Sequence, residues 1–114
     1  MYNKTQLLKG IYEGCILKII STNDAYGYKI VTVLQEKGFS EVKEGTIYPL
    51  LLRLEKNGYI RSEFRISEIG PSRKYYRITD EGRKHLAEFE EAWLDVVHMV
   101  EFVFEENADS ASFN

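Results

Sequence analysis

Lys43-Glu44-Gly45-Thr46-Ile47-Tyr48-Pro49, with Arg53 beyond it, sets two cations and two hydroxyls along one apolar-periodic segment. Cations and hydroxyls near a helix start can donate to phosphate oxygens and base edges, and the free N–H groups of the first turn suit an anion. In a helix-turn-helix the N-terminal residues of the second motif helix enter the major groove. Thr46, Tyr48 and Arg53 are therefore candidate DNA contacts, with Lys43 on their flank. Arg73 and Lys74, beside Gly70-Pro71-Ser72, form a second group suited to phosphate or minor-groove contact. Each residue also has a plainer reading: Tyr48 packed inward, Arg53 paired with an acid, Arg73 and Lys74 as solvated charge. Catalytic and metal chemistry find less material. His85 and His98 lie 13 residues apart, and Asp95 and Glu101 beside His98 offer at most a weak surface site. The single cysteine, Cys15, sits in an apolar stripe without the electropositive surroundings of a reactive thiol. No enzyme activity, cofactor or metal is expected.

These groups need elements to position them. Leu7, Leu8, Ile11, Tyr12, Cys15, Ile16, Ile19 and Ile20 recur at helical spacing, which predicts one helix ending near Ser21–Asp24, with Gly10 and Gly14 inside it. Asp24 is a plausible N-cap for a second helix through Ile30, Val31, Val33 and Leu34 to the stop at Gly38. A third helix spans about Glu44–Asn57, with Leu50, Leu51 and Leu54 on its buried face and Pro49 in its first turns. The period then changes to two. Ile60, Ser62, Phe64 and Ile66 alternate with Arg61, Glu63 and Arg65, and Tyr75–Ile78 forms a second short strand. Between them Ser67 to Ser72 includes the turn signal Gly70-Pro71, which predicts a hairpin with a longer tip that carries Arg73 and Lys74. Three helices and a hairpin give an α+β, mostly helical fold, a winged helix-turn-helix.

Thr79 caps a last helix in which Leu86, Phe89, Trp93, Val96, Val100 and Val103 form a heptad seam, widened by Val97, Met99, Phe102 and Phe104. That is more apolar surface than one face of a small domain covers, so a second chain is the expected partner. The division that follows is a winged-helix domain over 1–79, a C-terminal dimerisation helix over 80–106 and a disordered polar tail over 107–114.

Net charge nearly hides the candidate interface. The 114 residues sum to −3, which alone argues against a phosphate-bearing partner. Residues 43–79, however, carry eight Lys and Arg against four acids, whereas residues 80–114 carry two against ten. The basic charge gathers over the third helix and hairpin. No apolar run reaches the roughly 20 residues that span a bilayer. The N-terminal Met-Tyr-Asn-Lys-Thr-Gln lacks the layout of a secretion signal, so a cytoplasmic location is expected.

Glu44-Gly45-Thr46-Ile47-Tyr48-Pro49-Leu50-Leu51, Arg53-Leu54-Glu55 and Gly58-Tyr59-Ile60 together resemble the signature of the PadR-like transcriptional regulators. Tyr26-Gly27-Tyr28-Lys29-Ile30, Gly70-Pro71-Ser72-Arg73-Lys74-Tyr75-Tyr76-Arg77-Ile78-Thr79, Leu8-Lys9-Gly10 and Trp93 fit the same pattern. The resemblance covers about residues 7–104 and is to the small subfamily with a single C-terminal helix; Phe64 departs from it, standing where a larger aromatic is common. It implies a homodimeric repressor on a pseudo-palindromic operator in double-stranded DNA, with Thr46, Tyr48 and Arg53 on the recognition helix, Arg73 and Lys74 on the wing, and Tyr26 facing the DNA backbone. It also implies that the last helix packs against the partner's first helix, so that Leu8 and Ile11 join the dimer interface with Leu86, Phe89, Trp93, Val96, Val100 and Val103. A small apolar or aromatic effector would lie beside Trp93, with Cys15, Phe89 and Val97 as its lining. The competing reading is a winged-helix protein–protein interaction module that never meets DNA.

Overall fold

The computed structural model describes residues 1–67 and 69–106; the expected tail at 107–114 lies outside the described residues. The first apolar stripe folds as two helices rather than one, α1 (Thr5–Leu8) and α2 (Ile11–Thr22). Gly10 makes the break, because its φ of 90° belongs to the left-handed region that favours glycine. Gly14 does stay helical, and the Phe89 ring of the last helix lies so close over it that a Cβ would overlap the ring.

Asp24 does not cap the next helix. Ala25–Tyr26 form a two-residue strand, β1, and α3 (Gly27–Glu36) starts behind Tyr26 without a side-chain cap. Asp24 stands three residues ahead of the first helical residue, Gly27, and its carboxylate lies against the hairpin arginines Arg65 and Arg77 instead. The recognition helix of the expected motif, α4 (Glu44–Lys56), stands where its pattern places it. Pro49 is its sixth residue, so the Gly45 carbonyl lacks its i+4 donor at an exposed position. At the far end Gly58 N–H reaches the Glu55 carbonyl at 3.0 Å and Tyr59 N–H the Leu54 carbonyl at 3.0 Å. That is a Schellman closure with Gly58 at φ 82°, and α3 ends the same way at Gly38.

Two longer strands, β2 (Ile60–Ser67) and β3 (Gly70–Ile78), join β1 in an antiparallel sheet of order β1-β3-β2. The register opposes Ile60 to Ile78, Ser62 to Tyr76 and Ser67 to Gly70, so the turn is tighter than the expected Ser67–Ser72 loop. Arg73 and Lys74 consequently lie within β3, not on the tip. The sheet's inner face contributes Ile60, Tyr76 and Ile78 to a core completed by Ile16, Leu17 and Ile20 of α2, Ile30, Val31 and Leu34 of α3, and Ile47, Leu51 and Leu54 of α4. Leu50, expected in that core, is only half-buried, and Ile47 takes its place. Phe64 and Ile66 keep the alternation but outrun the helices, leaving them 73% and 91% exposed.

The last helix, α5 (Asp80–Phe104), begins on a doubly used residue. The Thr79 hydroxyl accepts the Gly82 N–H at 2.9 Å and donates to the Gly58 carbonyl at 2.7 Å, tying the start of α5 to the end of α4. His85 then stacks on Tyr59, with ring centroids 4.1 Å apart. The early turns of α5 pack on α2; farther along, Val96, Met99, Val100, Phe102, Val103 and Phe104 are exposed. The architecture is α+β, a winged helix-turn-helix with one long C-terminal helix.

Candidate nucleic-acid interface

The start of α4 is open. Lys43 occupies the N-cap position with no side-chain cap, and Lys43, Glu44, Gly45 and Thr46 are all exposed. Thr46 and Ile47 N–H groups return to the Lys43 carbonyl at 3.0 and 3.2 Å, which leaves the N–H groups of Glu44 and Gly45 facing outward. Tyr48 divides its surface between solvent and fold. Its ring lies against the backbone of Gly27, where a Cβ would come within 2.6 Å of the ring. Only glycine permits that approach, and it pins the first turn of α3 to the first turns of α4. Burial, and secondarily the Glu44 carboxylate, raises the proton affinity of the Tyr48 phenol, which stays a donor at neutral pH.

Tyr26 is reached next along the same line. It pairs with Tyr75 across β1 and β3, the two rings meeting edge-on at 5.3 Å. The Arg73 guanidinium lies 4.5 Å above the Tyr26 ring, a cation–π arrangement. The connection Arg73–Tyr26–Gly27–Tyr48 thus runs from wing to recognition helix.

Other candidates stand apart from it. Because neighbours on a strand point to opposite faces, Lys74 turns inward where Arg73 turns outward. Its Nζ is 3.7 Å from Glu55 and 5.6 Å from the Tyr76 ring centre. Arg53, in the last turn of α4, donates from Nε to Glu13 Oε1 of α2 at 2.6 Å. Three arginines that the residue pattern did not single out, Arg61, Arg65 and Arg77, share the face of the sheet that carries Arg73. A signal was present, since Arg61 and Arg65 are four apart, as are Arg73 and Arg77, and even spacing on a strand means one face. What was missing was the register that sets Arg61 opposite Arg77 and Arg65 opposite Arg73.

A second concave region lies between α2 and α5. A cleft of about 340 Å³ is lined by Leu8, Ile11, Cys15, Leu86, Phe89 and Trp93, with Lys18 and Glu90 also on its wall. Val97, one turn beyond Trp93, is half-buried and is not among the lining residues. Val96, Val100 and Val103 continue outward along α5 and are exposed. Burial raises the Cys15 thiol's proton affinity, so the sulfur lines the cleft as a neutral thiol. Among the described residues no three His, Cys, Asp or Glu side chains gather to hold a metal ion, and no helix is long and apolar enough to cross a membrane.

The pattern of the transcriptional regulator PadR-like family matches residues 16–88. A crystal structure of a PadR-like transcriptional regulator from Bacillus cereus superposes with a TM-score of 0.82 at 47% identity, covering 90% of this chain and 100% of that one. A Streptococcus transcriptional regulator follows at 0.81 and 46%, covering 89% and 99%. A transcriptional regulator of Mycobacterium tuberculosis is 38% identical over 73 residues, 64% of this chain and 66% of that one. The winged-helix order, the open start of α4 and these likenesses agree: the chain belongs to the PadR-like family of transcriptional regulators and is not an enzyme.

Proposed function

We propose that this regulator is a homodimeric, sequence-specific DNA-binding repressor, working in the cytoplasm on a pseudo-palindromic operator in double-stranded DNA. The observation that carries the reading is the continuous line from Arg73 through Tyr26 and Gly27 to Tyr48 and the uncapped first turn of α4. Thr46 and Tyr48 meet base edges or phosphates in the major groove; Lys43, Tyr26 and Arg73 hold the backbone. Arg53 joins them only by leaving Glu13. A half-exposed pair of this kind contributes about 0–1 kcal/mol, so a phosphate can compete for it. Residues 1–79 serve as the reader and 80–106 as the dimerisation helix, through Leu86, Phe89, Trp93, Val96, Val100 and Val103 against Leu8 and Ile11 of the second copy. The cleft beside Trp93 falls within the size range of small-molecule sites and takes a planar apolar effector that releases the operator.

The test is a gel shift with DNA from upstream of the protein's own gene. Changing Lys43→Ala together with Arg73→Ala should weaken binding and flatten the salt slope by about 1.8 per bound protomer, about 0.9 for each lost phosphate contact. An unchanged slope sinks the assignment. Effector binding is read separately, as quenching of Trp93 fluorescence by planar aromatic compounds. One observation favours a second reading, a protein-interaction module: Lys74 and Arg53 both face acids of the same chain, Glu55 and Glu13. No shift of any duplex at low salt decides for it.

A further inference from the structure

The inner face of the hairpin changes character along its length. Ile60, Tyr76 and Ile78 are enclosed in the core, whereas Phe64 and Ile66, farther out on the same face, are exposed. Ser62 and Lys74 lie at the changeover. The register sets Ser62 opposite Tyr76 and Lys74 opposite Phe64, so the two are diagonal neighbours on adjacent strands. One carboxylate meets both. Ser62 Oγ donates to Glu55 Oε2 at 2.5 Å, and Lys74 Nζ stands 3.7 Å from Glu55 Oε1. Among the described residues, no other side chain of α4 hydrogen-bonds or forms an ion pair with the hairpin.

Glu55 sits where its helix alone does not favour an acid. It is the second-last residue of α4, at the negative end of the helix dipole, where the charges of Arg53 and Lys56 are the favoured kind. The hairpin's other ties run elsewhere: Arg65 and Arg77 to Asp24, and Arg73 to Tyr26, neither of which belongs to α4. The covalent link from α4 to β2 is only Asn57, Gly58 and Tyr59. Beyond the core, the hairpin therefore takes its direct hold on the recognition helix from Glu55.

We propose that Glu55, Ser62 and Lys74 form a brace that fixes the wing relative to the recognition helix, and that Glu55 is thereby a positioning residue that sets sequence preference. This role rests on the DNA-binding reading above, and it occupies Lys74, whose ammonium is engaged by the chain's own acid instead of by a phosphate. The physical reason is preorganisation. An operator is matched only when α4 and the wing engage together at one spacing, so a wing that pivots must be ordered during binding, at an entropic cost. Binding to an unmatched duplex rests on phosphate charge and tolerates many poses, so it needs no fixed spacing. Loss of the brace lowers preference rather than general affinity.

The test exchanges the charges in the full chain: Glu55→Lys, Lys74→Glu and the two combined. Binding is measured on DNA from upstream of the protein's own gene and on a scrambled duplex of equal length. Each single change should cut the preference for the upstream DNA about tenfold, the effect of losing a hydrogen bond to a charged group. The combined change puts opposite charges back together, with the Ser62 hydroxyl now accepting, and should restore the parent's preference. Ser62→Ala, which leaves every charge in place, should lower the preference while the salt slope holds. If both single changes keep the parent's preference, the brace is overturned while the DNA reading stands. If the combined variant binds like Lys74→Glu alone, Lys74 meets DNA directly and the brace is overturned again. Losses equal on both duplexes, following a fall in melting temperature, mark a merely structural role and overturn it as well. Should an exchanged variant not fold, Ser62→Ala decides, and an unchanged preference there refutes the brace. A parent that shifts neither duplex, or both alike, takes down the sequence-specific reading itself, which no failure of the brace alone does.

Discussion

Helices α2 and α5 carry the same kind of apolar stripe and meet opposite fates. In α2, Ile16, Leu17 and Ile20 are at most 1% exposed, enclosed by α3, α4 and the sheet. In α5, Val96 and Val100 are nearly half exposed and Val103 is 80% exposed. Hydrophobic period therefore marks a face that must be covered, not what covers it. The folded chain supplies the cover for one stripe and leaves most of the other bare. A bare apolar face of that length is what an association surface looks like before association. Charge divides along the same line, with the basic excess over α4 and the sheet and the acidic excess over α5 and the tail.

The sharpest way to test this contrast is to cut one stripe at a time. Leu17→Ala empties a fully enclosed site on α2, and a large-to-small change there costs about 2–5 kcal/mol, read as a lower urea midpoint that does not depend on protein concentration. Val100→Glu acts on the open stripe. It should leave the urea unfolding of the dilute chain almost unaltered and convert a sedimenting dimer to monomer. Stranding a charge in the proposed seam costs about 3 kcal/mol, about a hundredfold in dissociation constant. Concentration-independent destabilisation by Val100→Glu breaks the comparison, because it would mean that the chain covers its own α5.

Much of the frame was legible because its signals are local. Thr79 before Asp80-Glu81 announces the start of α5, and the glycines at 38 and 58 announce the ends of α3 and α4. Spacing located the α4 candidates, although whether Tyr48 points inward or outward had no single answer: its ring is shared between Gly27 and solvent. What stayed hidden depends on pairing between distant segments. Strand β1 has two residues and no period of its own; it exists because Tyr26 and Ala25 find Tyr75 and Tyr76. Asp24 looks like a cap until Arg65 and Arg77 arrive from 41 residues or more away. The break at Gly10 was hidden for a different reason, since a glycine within a good apolar period is silent about the sign of its φ.

A smaller effect separates the covered half from the open one by pH. Tyr12, Cys15, Tyr48 and Tyr76 all have raised proton affinities, each chiefly because burial disfavours the anion. All four belong to the segment that covers itself. The folded state therefore keeps protons that the unfolded chain releases, from about pH 8.5 for a thiol and about pH 10 for a phenol. Stability falls with pH wherever the native state binds more protons than the unfolded one. The contribution is fully present below those unfolded-state values and is lost as pH rises through the higher folded ones. The urea midpoint should hold from pH 7 to about pH 8.5 and decline above it. Tyr76→Phe, which removes the hydroxyl that burial, Glu55 and Tyr48 hold in its neutral form, should make the decline shallower. A midpoint that stays level through pH 11, or a decline that Tyr76→Phe leaves unaltered, would remove proton release by this phenol as the cause of alkaline weakening in the covered half.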